Sequence, residues 1–203
     1  MDNDKLKDGY VNFINILELG DAYINKLRSW RNQDFVRLRM FNQEIITEEE
    51  HAGFIEYLKN NREKNYCICF MGSKPFGVLY YEFFRKINNL EFGYYLVAQE
   101  FINSGLGIVM EYSLLNHAFY DLKVNKVFCR TMMSNEKVVG LHTSFGFVTE
   151  GILKQHVKIN DSYEDIAVQG VTESIWAQSR VKIEKYMRVI VDIDKIGPIT
   201  GRC

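Results

Sequence analysis

Between Tyr66 and Val97 the chain strings together three runs crowded with aromatic and β-branched residues: Tyr66 to Met71, Pro75 to Phe84 and Leu90 to Val97. Such runs read as strands. Their separators, Gly72-Ser73-Lys74 and Arg85-Lys86-Ile87-Asn88-Asn89, are short and turn-like. A connection that short can only reverse the chain, because parallel neighbours need a long crossover. The block predicts an antiparallel meander, and any fold must be built around it. Pro75 is compatible, since the first residue of a strand need not donate to the ladder.

The flanks add helices. Val11 to Leu17 reads as a short strand. Asp21 is placed to cap a helix with Tyr23, Leu27 and Trp30 on one face. Thr47 and Glu50 form a capping-box pattern ahead of Phe54, Ile55 and Leu58. After the meander, Ser104 to Asp121 reads as a helix with Ile108, Tyr112, Leu115 and Phe119 facing inward. Lys126 to Met132 is a strand, and Ser134 or Asn135 caps a helix that Gly146 ends. Thr149 to Ile159 and Tyr163 to Val171 pair across Asn160-Asp161-Ser162. A charged helix runs from Glu173 to about Val189, and then a loose end. The order β-α-α-β-β-β-α-β-α-β-β describes an α/β (α+β) protein with a mixed, mostly antiparallel central sheet flanked by helices. At 203 residues and 47% hydrophobic content, one full core is expected and two are not.

Several function classes fall away. A formal net charge of -1 offers no global basic field, so no nucleic-acid partner is expected. No run reaches the ~18 apolar residues of a membrane helix. The polar start, from Met1 to Tyr10, has no signal-peptide core, and the expectation is a cytoplasmic protein. Cys67 and Cys69 share one face of a strand, Cys129 stands alone and Cys203 is terminal. Without a Cys-x-x-Cys or a matching Cys/His set, free thiols are expected and no metal site. His117 and His156 read as surface residues.

The third meander strand leads through a short loop into Asn103-Ser104-Gly105-Leu106-Gly107, at the start of a helix. Free N–H groups and a partial positive charge at a helix start suit a pyrophosphate, and glycines let it approach. The same residues also fit an ordinary turn. Neither a Walker loop nor a dinucleotide fingerprint is present.

In context, Ile102 to Gly107 resembles the acetyl-CoA motif of the GNAT N-acetyltransferase superfamily, Q/R-x-x-G-x-G/A, with Ile102 in place of the leading Gln or Arg. Asn135 to Phe147 is similar to a second family pattern, N-x-x-A-x-x-L-Y-x-x-x-G-F. Asn135, Leu141, Gly146 and Phe147 are in register, and His142 stands in place of Tyr. Trp30-Arg31-Asn32, Arg39-Met40-Phe41, Glu50-His51 and Phe54-Ile55 look like the sugar-nucleotide branch, as do Leu141 to Phe147 with Glu150 to Leu153. That branch includes the acetylation of UDP-4-amino-4,6-dideoxy-N-acetyl-β-L-altrosamine in pseudaminic-acid biosynthesis. The resemblance implies a GNAT domain over residues 1–172 and a C-terminal helical extension and tail over 173–203.

It also implies the chemistry. Acetyl-CoA would be the co-substrate, held by Leu96, Val97, Asn103, Ser104, Gly105, Leu106, Gly107 and Asn135. Pantetheine would insert where family members splay the Leu90–Val97 strand from its neighbour. Transfer to an amine needs a base, an oxyanion donor and an acid for the leaving thiolate. Glu91 is the candidate base, desolvated among aromatic residues; it also reads as a plain strand residue opposite a Lys. Gly93 beside it hints at a bulge or a close approach. His142 is the candidate acid; it also reads as a core histidine. A nucleotide-linked amino sugar calls for ring stacking and cations, and Arg31, Arg39, Met40, Phe41, His51, Phe54 and Tyr94 are the candidates. The alternatives are a protein N-terminal or polyamine acetyltransferase and a silent acyl-CoA-binding domain. A homodimer stays open.

Overall fold

The computed structural model describes residues 9–200. Cys203 and most of the polar start lie outside the described residues. The meander forms as expected: β2 (Lys64–Met71), β3 (Lys74–Phe84) and β4 (Asn89–Leu96) pair antiparallel in sequence order. With β1 (Val11–Asn15), β5 (Lys126–Met132), β6 (Val148–Ile159), β7 (Ser162–Thr172) and β8 (Ile196–Ile199) they make one sheet, in the order β6-β7-β5-β4-β3-β2-β1-β8. Among the described residues only β4–β5 and β1–β8 are parallel pairs.

Strand alternation assigns the faces. Tyr66, Tyr80, Glu91, Gly93, Tyr95 and Arg130 share one face. Helices α1 (Asp21–Arg31) and α3 (Glu48–Asn60) cover it, with Tyr23 edge-on to Phe70 and Phe54 edge-on to Tyr66. The short α2 (Asp34–Arg37) follows α1. Tyr81, Phe92, Tyr94 and Cys129 occupy the other face, under α4 (Leu106–Asn116), α5 (Glu136–Ser144) and α6 (Glu173–Ile190). Helix α4 is buried almost all round, which explains why its apolar residues do not form a single stripe.

Several local expectations need correction. The first strand stops at Asn15, whose side chain accepts from the Leu17 N–H and turns the chain into a 3-10 turn. Gly20, not Asp21, is the cap residue of α1, and Asp21 opens its first turn. Asn135 is the cap position of α5 but makes no side-chain cap bond. The 104–121 helix is shorter at both ends: it starts at Leu106, and beyond Asn116 it widens into a π-turn over His117–Asp121. His117 is buried, between the Tyr81 hydroxyl at 3.2 Å and the Asp121 carboxylate at 2.9 Å; His156 is exposed. The β3–β4 register has no bulge at Gly93. The close approach there comes from Tyr80, whose hydroxyl would clash with a Cβ at that position.

The segment after α6 is not loose. It returns as β8 beside β1, and the Thr200 hydroxyl donates to the Phe13 carbonyl. Gly197-Pro198 reads as a breaker, but β8 is an edge strand, where proline is tolerated. Helix α6 is bound into the same core through Trp176, which is fully buried, stacks on Phe145 at 5.7 Å and donates to Asn116. Trp176→Ala is expected to cost about 3–5 kcal/mol of stability, read from urea unfolding.

Candidate active site

Strands β4 and β5 pair only at Asn89–Lys126, Leu90–Val127 and Glu91–Phe128. Beyond that point β4 runs on to Leu96 and β5 to Met132 without meeting. Donor direction alternates along a strand. The Val97 N–H donates to the Phe76 carbonyl, on the β3 side. The N–H groups of Phe92, Tyr94 and Leu96 therefore point into the gap. A cleft of about 710 Å³ occupies it, lined by both strands, the loop after β4 and α5. Leu96 lines this cleft. Val97 does not: its carbonyl accepts from the Gln33 side chain, so both its backbone groups are committed.

The loop closes one end. Asn103 (φ 63°) and Gly105 (φ 83°) are left-handed on either side of Ser104. Among the described residues the N–H groups of Asn103, Gly105 and Gly107 donate to no acceptor. Such a run of free N–H groups forms an anion-binding concavity. Gly105 is required twice, by its φ and because a Cβ would stand 2.6 Å from Ile190 Cδ1 on α6. Asn103, Gly105, Gly107 and Asn135 line the cleft. Ser104 turns inward, its hydroxyl donating to Phe101 O and accepting from the Leu106 N–H, and Leu106 is core. The Ile102 side chain is exposed at the rim and offers an anion no charge, whereas Asn135 and Lys137 line the same cleft.

The two candidate acid–base residues lie on opposite faces. Glu91 is the last residue before the strands part. Arg130 Nε donates to its Oε1 at 2.6 Å and Nη2 to its Oε2 at 3.3 Å. An ion pair, not isolation among aromatic rings, is its environment. Arg130 in turn lies over the Phe41 ring at 5.9 Å. His142 projects inward from α5, enclosed by the rings of Phe92, Tyr94 and Phe147. Its Nδ1 is 2.9 Å from Oε1 of Glu111, a fully buried carboxylate on α4, and the Tyr94 hydroxyl donates to Oε2 of the same group at 2.8 Å. Burial pushes the imidazole pKa down. The Glu111 charge and hydrogen bonds with Cys129 and Glu111 outweigh it and raise the pKa to about 10.

On the α1/α3 face a pocket of about 390 Å³ adjoins the cleft. Tyr66 stacks on Tyr80 at 4.9 Å, and Tyr95 completes its floor. Arg31, Met40, Phe41, His51 and Phe54 line it, and Met40 and Phe41 line the cleft as well. Arg39 lines the cleft and a smaller recess around Glu91 and Arg130. One Arg31 nitrogen donates to Asn42 O at 2.7 Å; the other, Nη1, is buried with no partner. Burial lowers the Arg31 pKa. His51 is tied to Ile24 O at 2.8 Å and braces α3 against α1. Tyr94 lies on the other face, away from Arg31. Sequence reasoning missed Tyr66, Tyr80, Tyr95, Arg130, Glu111 and Cys129; the alternation of adjacent tyrosines across the sheet was the available signal for Tyr95.

Residues 18–148 match the family model of the acetyltransferase (GNAT) domain. The chain belongs to the GNAT acetyltransferase family. It is similar to acetyltransferase PseH of Campylobacter jejuni: 26% identical over 129 residues to the protein of strain 81-176, spanning 63% of this chain and 78% of that one. Against the PseH of strain NCTC 11168 the identity is 28% over the same shares. Its fold is similar to that of spermidine N-acetyltransferase from Vibrio cholerae, solved with CoA and spermine, at a TM-score of 0.75 and 18% identity over 83% of this chain and 98% of that one.

The chain is therefore an N-acetyltransferase with acetyl-CoA as co-substrate. The residues fit that group: unpaired N–H groups along β4 suit a pantetheine amide chain, and the Asn103–Gly107 loop suits the pyrophosphate. Gly105→Ala is expected to weaken acetyl-CoA binding at least ~10-fold by calorimetry, because both the loop and Ile190 must shift. A second expectation concerns stability. With a folded-state pKa near 10 against about 6.5 unfolded, protonated His142 stabilises the fold below pH ~6.5, and that contribution is lost as pH rises toward 10. Unfolding free energies of wild type and His142→Asn should converge over that window.

Proposed function

We propose that this enzyme acetylates the amino group of a nucleotide-linked amino sugar, as in the making of bacterial surface glycans of the pseudaminic-acid type. The observation that carries this reading is the charge inventory of the acceptor side. Arg28, Arg31, Arg39, Lys64 and Arg130 line it, against Glu50, Glu82 and Glu91. Each of those carboxylates is already committed: Glu50 to the Thr47 capping box, Glu82 to Lys64 and Glu91 to Arg130. A polyamine needs free carboxylates. A nucleoside diphosphate needs cations and a flat surface, and Arg31 Nη1 and the Tyr66–Tyr80 stack offer both. The similarity to PseH supports the same reading, and a cytoplasmic supply of acetyl-CoA and nucleotide sugar accords with it.

On this reading the nucleotide lies across Met40, Phe41 and the tyrosines, and the amine reaches toward the point where β4 and β5 part. Glu91 stands there to take the ammonium proton, directly or through a water, while Arg130 fixes its carboxylate. Backbone N–H groups of β4 face the gap where the carbonyl oxygen gains charge.

A colorimetric assay of released CoA thiol tests this with a UDP-linked amino sugar, spermine and ribosomal-protein N-terminal peptides as acceptors. Turnover of the sugar, inhibited competitively by UDP, is expected; a higher kcat/KM for spermine or a peptide would sink the reading. Arg31→Ala should raise the KM for the sugar nucleotide ~10- to 100-fold, the worth of a charged hydrogen bond. Glu91→Gln should lower kcat by about 100-fold.

A further inference from the structure

Helix α6 lies beyond the residues that match the family model, and neither the acid–base groups nor the acceptor pocket draws on it. Its last residue, Ile190, nevertheless reaches the anion-binding loop. The Cδ1, Cγ1 and Cγ2 atoms of Ile190 lie 2.6, 3.0 and 3.5 Å from where a Cβ on Gly105 would stand, so this side chain fills the hollow behind the glycine. Within the loop, the Ser104 N–H and hydroxyl both donate to Phe101 O, and the Leu106 N–H donates to Ser104 Oγ. The N–H groups of Asn103, Gly105 and Gly107 are left over, presented by two left-handed residues. Such a loop gains by relaxing its unpaired donors toward an internal acceptor unless its back is packed. The helix that packs it is firmly anchored. Trp176 and Met187 are fully buried, the Glu184 carboxylate accepts from the Tyr112 hydroxyl on α4 at 2.8 Å, and Val191 is buried before the chain returns as β8. The loop opens that same α4, so loop and brace are fixed to one helix.

We propose that Ile190 is a positioning residue for acetyl-CoA: the C-terminal helix braces the Asn103–Gly107 loop from behind and so sets the affinity of the pyrophosphate site. This rests on the pyrophosphate lying at that loop and is independent of which amine is acetylated. Ile190 does not line the cleft, so it acts through the loop and not on the ligand. A loop already held in its binding shape loses no affinity to ordering when the anion arrives. The brace bears on the phosphate end of the cleft, away from Glu91 and the point where the strands part. It should therefore govern how tightly the cofactor is held and leave the chemical step unchanged.

Two measurements test this. Ile190→Ala should raise the calorimetric Kd for acetyl-CoA, and the KM for acetyl-CoA, about 10-fold, with kcat and the acceptor KM unchanged. Ile183→Ala removes a buried side chain from the same helix about two turns earlier. It should lower the urea midpoint and leave the acetyl-CoA Kd at the wild-type value. Equal losses of affinity in both variants, or wild-type affinity in Ile190→Ala, would overturn the proposal. The second measurement is a cycle with Gly105→Ala. Shortening the side chain at position 190 vacates the space that the added methyl needs. The Gly105→Ala/Ile190→Ala variant should therefore bind acetyl-CoA no more weakly than Gly105→Ala alone. Losses that multiply would show that the two residues act apart, and the brace would be refuted. Gly105→Ala binding as tightly as wild type would instead remove the loop from the cofactor site, and the proposal with it.

Discussion

Everything about this site follows from two parallel strands that separate. A parallel ladder normally pairs along its length, and each unpaired buried backbone group costs about 1–3 kcal/mol. Here β4 and β5 keep three residue pairs and then diverge. The N–H groups that β4 leaves facing the gap can be satisfied by an extended ligand, so binding recovers what the sheet forgoes. The gap also joins the two faces of the sheet. Glu91 and Arg130 look to one side of it, and Cys129, His142 and Glu111 to the other.

That division separates two electrostatic settings. On the α1/α3 face the charges are cationic or cancelled in pairs, and tyrosine rings supply a flat floor. On the α4/α5 face a fully buried carboxylate and a raised imidazole hold each other in place. Removing either partner would strand the other without water, which is more costly than the pair itself. Within the α1/α3 face, only the missing Cβ of Gly93 lets Tyr80 lie across β4.

Much of the fold was legible because the local signals agreed with one another: the aromatic meander, the Thr47–Glu50 box, the glycine-bearing helix start after β4. The cofactor loop was legible as a spacing, and Asn103, Gly105 and Gly107 do line the cleft. Ser104 and Leu106 share the motif but turn inward, because alternate positions of a tight loop must point at the core. Tyr94 and Tyr95 are adjacent, so one must face each side, and only the register against Tyr80 says which. The return of the tail as β8 left no signal beyond a few apolar residues around Gly197-Pro198.

The amino-acid sequence by itself determined the meander, the Thr47–Glu50 helix start and the loop of free N–H groups. Those depend on contacts within a few residues, where side-chain type and spacing act directly. The tertiary structure alone decided that Glu91 meets Arg130 and that Glu111 orients His142. These pairs are 39 and 31 residues apart. Their chemistry comes from burial and mutual distance, and neither exists until the strands part and the helices close over them.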